Sequence, residues 1–130
     1  MTPADSPPVI LVAEDEDSLR GMLALVLRSR GFEVLLCANG AEARDHLHGD
    51  ARIDLALFDL RMPYVPGDQL LAMLRSDPRR AATPAIAMSA YSDGGQAQQL
   101  REAGADAFLA KPFTVEELTI TLRGLLPPRA

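Results

Sequence analysis

Five side chains stand where short apolar runs give out. Glu14 and Asp15 follow Val9–Ala13, Asp59 follows Leu55–Phe58, Ser89 follows Ala85–Met88, and Lys111 follows Ala107–Ala110. Three carboxylates gathered in one place repel one another unless cations compensate them. Lys111 brings one positive charge. A hard divalent ion with oxygen ligands, Mg2+ or Mn2+, would bring two more. Mg2+ takes a few carboxylates, keeps several waters and accepts phosphate oxygens. A carboxylate cluster that can hold such an ion, with an ammonium and a hydroxyl beside it, suits phosphoryl chemistry.

Each of these residues also has an ordinary role. Glu14 and Asp15 can open a helix, where the macrodipole favours negative charge. Asp59 and Ser89 can serve turns. Lys111 can be a surface charge, although it is the one lysine among thirteen basic residues. Arg and Lys are interchangeable on a solvated surface but not where a compact ammonium is required. The conjunction at four successive run ends is what the ordinary roles leave as coincidence.

The elements that must position these groups follow from periodicity. Val9–Ala13 reads as a buried strand. Leu19, Met22, Leu23, Val26 and Leu27 then give an amphipathic helix, with Asp17 or Ser18 as its cap and Gly31 as its end. Val34–Ala38 is a second strand, and 41–48 a helix with Ala43 and Leu47 turned inward. Leu55–Phe58 is a third strand. A loop containing Pro63, Pro66 and Gly67 leads to a helix through Leu70, Leu71 and Leu74. Ala85–Met88 is a fourth strand, Gln96–Ala103 a polar helix closed by Gly104, and Ala107–Ala110 a fifth strand. Val115, Leu118, Leu122 and Leu125 mark the last helix. Five strands, each followed by a helix, predict a parallel sheet covered on both faces, a doubly wound α/β sandwich. Functional groups in such folds gather at the carboxyl ends of the strands.

Composition narrows the function classes. The 130 residues carry a net charge of −5 and no basic run, which argues against a nucleic-acid-binding surface. Cys37, the one cysteine, excludes an internal disulfide and a cysteine-built metal cage, and a cytoplasmic, reducing compartment fits. It reads as a small buried apolar residue rather than a reactive thiol. No apolar run approaches the ~20 residues of a membrane span, and the first residues lack the pattern of a signal peptide. Prolines bracket the chain, so 1–8 and 127–130 read as tails around one domain at 9–126.

With these residues in view, the chain resembles the response-regulator receiver domains of two-component signalling, the CheY-like family. The matching segments are Ile10-Leu11-Val12-Ala13-Glu14-Asp15-Glu16, Asp59-Leu60-Arg61-Met62-Pro63 with Gly67, Met88-Ser89-Ala90, and Gly104 through Lys111-Pro112-Phe113. The resemblance implies a flavodoxin-like (βα)5 sandwich with sheet order 2-1-3-4-5. It implies Asp59 as phospho-acceptor, with Mg2+ held by Glu14, Asp15, Asp59 and the backbone carbonyl of Arg61. It assigns phosphoryl binding to Ser89, the Ala90 backbone and Lys111, and a cis peptide to Lys111-Pro112. Ser89 and Phe108 would be the switch pair. The phosphodonor would be a histidine kinase or histidine phosphotransfer protein. A downstream protein partner would bind the face made by the fourth helix, fifth strand and fifth helix, with no role for nucleic acid or membrane.

Several positions depart from the commonest family pattern. Pro66 stands where Asp often precedes the glycine, and Pro63 and Pro66 together should stiffen the loop. Tyr64, between them, reads as an exposed aromatic suited to a partner contact. Phe108 lacks the hydroxyl of the usual Tyr, so any switching there works by packing. Arg61 and Tyr91 lie two residues beyond Asp59 and Ser89, at positions that tune phosphate lifetime in the family, and their bulk suggests slow hydrolysis. His46 and His48, two apart on a helix, do not face each other and suggest no metal site.

Two other readings compete with a phosphorylation switch. A phosphatase with an Asp nucleophile would have a second Asp where Arg61 stands. A pseudo-receiver would bind partners without phosphorylation, although all the core groups are present.

Overall fold

The structure is a computed structural model that describes residues 6–90 and 101–126. The strands are β1 (Val9–Ala13), β2 (Glu33–Cys37), β3 (Leu55–Asp59), β4 (Ala85–Ala90) and β5 (Ala107–Lys111). The helices are α1 (Asp17–Ser29), α2 (Gly40–His48), α3 (Gly67–Ser76), a short described stretch at 101–103 labelled α4, and α5 (Val115–Leu125). All strand pairs are parallel, in the order β2-β1-β3-β4-β5.

The unbroken apolar runs have a simple cause: side chains alternate between two covered faces. Leu11, Ala13, Ala56, Phe58, Ala85 and Ala87 pack on one face with Ala43 and Leu47 of α2 and Leu70, Leu71 and Leu74 of α3. Ile10, Val12, Leu55, Leu57, Ile86 and Met88 pack on the other with Leu23 and Leu27 of α1 and Leu118 and Leu122 of α5. Central strands β1 and β3 are buried along their full length.

Local sequence explains most of the boundaries. Asn39 caps α2, its side chain accepting from the Glu42 amide. Thr114 and Glu117 close a reciprocal capping box on α5. Gly31, at φ 88°, ends α1 where other residues would be strained. The start of α1 corrects the sequence reading. Glu16, not Asp17 or Ser18, is the N-cap residue, and no side chain caps the helix. The Ser18 hydroxyl donates instead to Glu16 Oε1. Val115, the first residue of α5, is 37% exposed. Most of Gln96–Ala103, and Tyr91, lie outside the described residues.

Two long-range arginine contacts hold the connections. Arg80, buried, donates to the carbonyls of His46, Leu47 and Gly49 at the C-terminal end of α2. Arg75, near the end of α3, donates to the carbonyls of Ala81, Thr83 and Gly104 and to Asp106. It ties α3 to the turn that enters β5.

Candidate active site at the carboxyl edge of the sheet

The sheet order brings the ends of β1, β3, β4 and β5 side by side, and the sequence-predicted groups come with them. Glu14 is fully buried one residue past β1, and Asp15 beside it is exposed. Asp59, the last residue of β3, is 5% exposed. One oxygen from each of Glu14, Asp15 and Asp59 falls within 4.8 Å of the others.

Lys111, at the end of β5, reaches back across β4. Its Nζ lies 2.7 Å from Glu14 Oε1 and donates to Asp59 Oδ2 at 3.1 Å. The contact with Glu14 is a close ion pair without hydrogen-bond geometry, which leaves Glu14 Oε1 a buried acceptor with no hydrogen bond. Glu14 Oε2 accepts from the Glu16 amide at 3.0 Å. Asp59 Oδ1 accepts from the Arg61 amide at 3.3 Å, so Asp59 performs its turn role as well.

Burial, and then the charge of Glu14, push the Asp59 carboxyl up to about 7, against a partial pull downward from Lys111 and the Arg61 amide. Burial disfavours the Lys111 ammonium, but the ion pair with Glu14 and the charge and hydrogen bond of Asp59 outweigh it and raise its pKa. The pocket therefore holds more negative charge than one lysine neutralises. An all-oxygen donor set that includes a buried carboxylate oxygen without a hydrogen bond fits a hard divalent cation.

Ser89 is buried near the end of β4, one residue beyond Met88, which pairs with Asp59. Ser89 pairs with Ala110 and Ala90 with Lys111. Phe108 pairs with Ala87, so alternation puts Phe108 and Ser89 on the same face of the sheet, where Phe108 is half-buried against the α2–α3 core. The Lys111-Pro112 peptide is cis. Gly67 lies so close beneath β3 that a Cβ there would meet the Asp59 carbonyl at 2.3 Å. Cys37 is buried and its thiol pushed up to about 12, chiefly by burial, so it is not a reactive group.

Sequence reasoning missed Arg20. Its guanidinium donates to the backbone carbonyls of Glu14 and Asp15 at 3.1 and 3.3 Å and to Asp17 at 2.5 Å, bracing the acidic loop from α1. The three-residue spacing from Asp17 to Arg20 on a helix was the available signal.

Comparison with known proteins agrees with this geometry. Residues 10–123 match the family model described as a response regulator receiver domain. The chain is 37% identical to the regulatory protein AtoC of Escherichia coli, over 90% of this chain and 25% of AtoC. It is 34% identical to the DNA-binding response regulator MtrA of Mycolicibacterium smegmatis, over 90% of this chain and 50% of MtrA. It thus spans a quarter to a half of these regulators. Among solved structures, the receiver domain of the Pseudomonas aeruginosa sensor histidine kinase PA1611 superposes with a TM-score of 0.81 at 31% identity, covering 92% of this chain and 97% of that one. That structure has a magnesium ion coordinated in its active-site cleft.

Proposed function

The chain belongs to the response regulator receiver domain family, the phosphorylation-dependent signalling switches of two-component systems, and from that premise we propose how its own residues do the work. Asp59 is the phospho-acceptor. One of its carboxylate oxygens attacks the phosphorus of a phosphohistidine on a histidine kinase or phosphotransfer protein. The phosphorus–nitrogen bond breaks, the imidazole nitrogen keeps the electron pair and takes a proton, and Asp59 becomes an acyl phosphate.

The observation that carries this reading is the buried Asp59 carboxylate in contact with Lys111 and within reach of Glu14 and Asp15. Glu14, Asp15, Asp59 and the Arg61 carbonyl are the proposed ligands of Mg2+ (or Mn2+), which when bound would neutralise the charge that otherwise repels an incoming phosphoryl group. Lys111 supplies a fixed positive charge. Ser89 and the Ala90 amide supply donors to the phosphoryl oxygens. Arg61 and Tyr91 tune how long the phosphate survives.

The phosphoryl group adds ~2 negative charges. Drawing Ser89 toward them moves the end of β4, and Phe108, on the same face, repacks into the space released. The surface of α4, β5 and α5 changes with it and controls binding of a downstream protein. Residues 9–126 form the switching unit, which acts in the cytoplasm. MtrA is a DNA-binding regulator, but the net charge of −5 here supports a protein partner for this domain and no direct contact with nucleic acid.

The test is to treat the protein with acetyl phosphate and Mg2+, reduce with borohydride, and map the product by mass spectrometry. Conversion of Asp59 to homoserine is the expected result. Conversion at another residue overturns the assignment.

A further inference from the structure

Tyr64 is 81% exposed and sits at φ 72°, the left-handed region that a bulky side chain rarely occupies. The Val65 amide donates to the Pro63 carbonyl at 2.9 Å, so Tyr64 is the middle residue of a three-residue γ-turn of the rare, strained, positive-φ kind.

Its surroundings hold the turn in place. Val65 is buried, and its carbonyl lies so near Gly40 at the start of α2 that a Cβ there would meet it at 1.7 Å. The Gly67 amide donates to the Leu60 carbonyl at 3.0 Å and closes the loop. Pro63 and Pro66 restrict the chain on either side. The ring that this frame carries is left in solvent. Strain that persists where packing over-determines it, with the side chain turned outward, marks a functional position.

The position says which function. Tyr64 lies on the loop that leaves Asp59, above the α2–α3 face of the sheet. On the opposite face of the same edge, an open groove of about 390 Å3 is lined by Leu19, Met22, Lys111 and Phe113, among others. Asp59 is 5% exposed, so a donor can reach it only by closing over this edge. We infer that Tyr64 is a specificity-determining contact for the protein that delivers the phosphoryl group, packing its ring on that partner when the donor histidine is brought to Asp59. A rigidly presented tyrosine suits the role, because it buries a large area at low entropic cost and dominates many interfaces. The inference rests on the proposed function above.

The probe is the histidine kinase of the source genome that transfers phosphate to the wild-type protein fastest, with acetyl phosphate as the control donor. Tyr64→Ala and Tyr64→Gly should slow transfer from the kinase by about tenfold. Tyr64→Phe should restore most of the rate, and labelling by acetyl phosphate should stay within about twofold in all three. Tyr64→Gly should also raise the melting temperature, because glycine accepts positive φ without strain. An unchanged kinase rate in Tyr64→Ala overturns the inference, as does an equal loss with both donors or a lower melting temperature for Tyr64→Gly. Failure of acetyl phosphate to label the wild-type protein would instead sink the proposed function itself.

Discussion

Lys111 donates a hydrogen bond to Asp59 across an intervening strand, with Nζ 3.1 Å from Oδ2 and β4 between the two backbones. The same ammonium lies 2.7 Å from Glu14 Oε1. One flexible, compact cation thus serves two buried carboxylates from the edge of the sheet, in a chain whose other basic residues are all arginine. A planar guanidinium, with its donors in a fixed fork, fits poorly into that space.

Replacing Lys111 with Arg should therefore keep the fold and the formal charge but lose the switch. Hydrogen exchange of β4 and β5, measured with and without acetyl phosphate and Mg2+, should change on phosphorylation in the wild-type protein and stay flat in the variant. A full response in Lys111→Arg would show that charge alone suffices.

Asp59 makes stability depend on pH. Its folded-state pKa of about 7 lies above the ordinary 3.8, so the folded protein holds the proton more tightly than the unfolded chain does. That contribution is complete below pH 3.8 and is lost as pH rises through 7. Asp59→Asn cannot ionise and escapes the loss. In EDTA at pH 8 its melting temperature should exceed the wild-type value by several degrees, a gain of roughly 2 kcal/mol, and the gap should close toward pH 4.

Gly67→Ala should damage the site from beneath. The added Cβ would meet the Asp59 carbonyl at 2.3 Å and the Leu60 Cα at 2.9 Å, both backbone atoms that cannot rotate away. A destabilisation of about 1–3 kcal/mol is expected from overpacking of this kind, with slower labelling of Asp59, read by urea denaturation and acetyl phosphate kinetics on the same sample.

Thr114→Ala gives a change remote from the phosphoryl chemistry. It removes the hydroxyl that accepts from the Glu117 amide and opens the capping box of α5. The cost should be about 1 kcal/mol in urea, with acetyl phosphate labelling of Asp59 unchanged.

What could be read in the sequence divides along physical lines. The central strands were legible because burial on two faces leaves an unbroken apolar run, and their ends carried the chemistry because polar groups tolerate only the edge of such a sheet. The braces were not legible. Arg75 reaches Gly104 across 29 residues and Arg80 reaches Leu47 across 33, and no local spacing announces contacts that only the folded chain creates. The cap of α1 is not legible because Asp17 and Ser18 are both good cap types, whereas Glu16 takes the position and its carboxylate accepts from Ser18. The strained turn at Tyr64 was hidden for a related reason. Local preference puts glycine or asparagine at positive φ, and here the tertiary frame around Val65 overrides that preference.

The central claim is that Asp59 accepts the phosphoryl group in a pocket completed by Mg2+. Its most direct test is incubation of wild-type protein and Asp59→Asn with acetyl phosphate, with Mg2+ or with EDTA, read as intact mass. One added phosphoryl group is predicted in the wild-type protein with Mg2+, and none in the variant or in EDTA. Equal labelling of Asp59→Asn, or undiminished labelling in EDTA, would contradict the account.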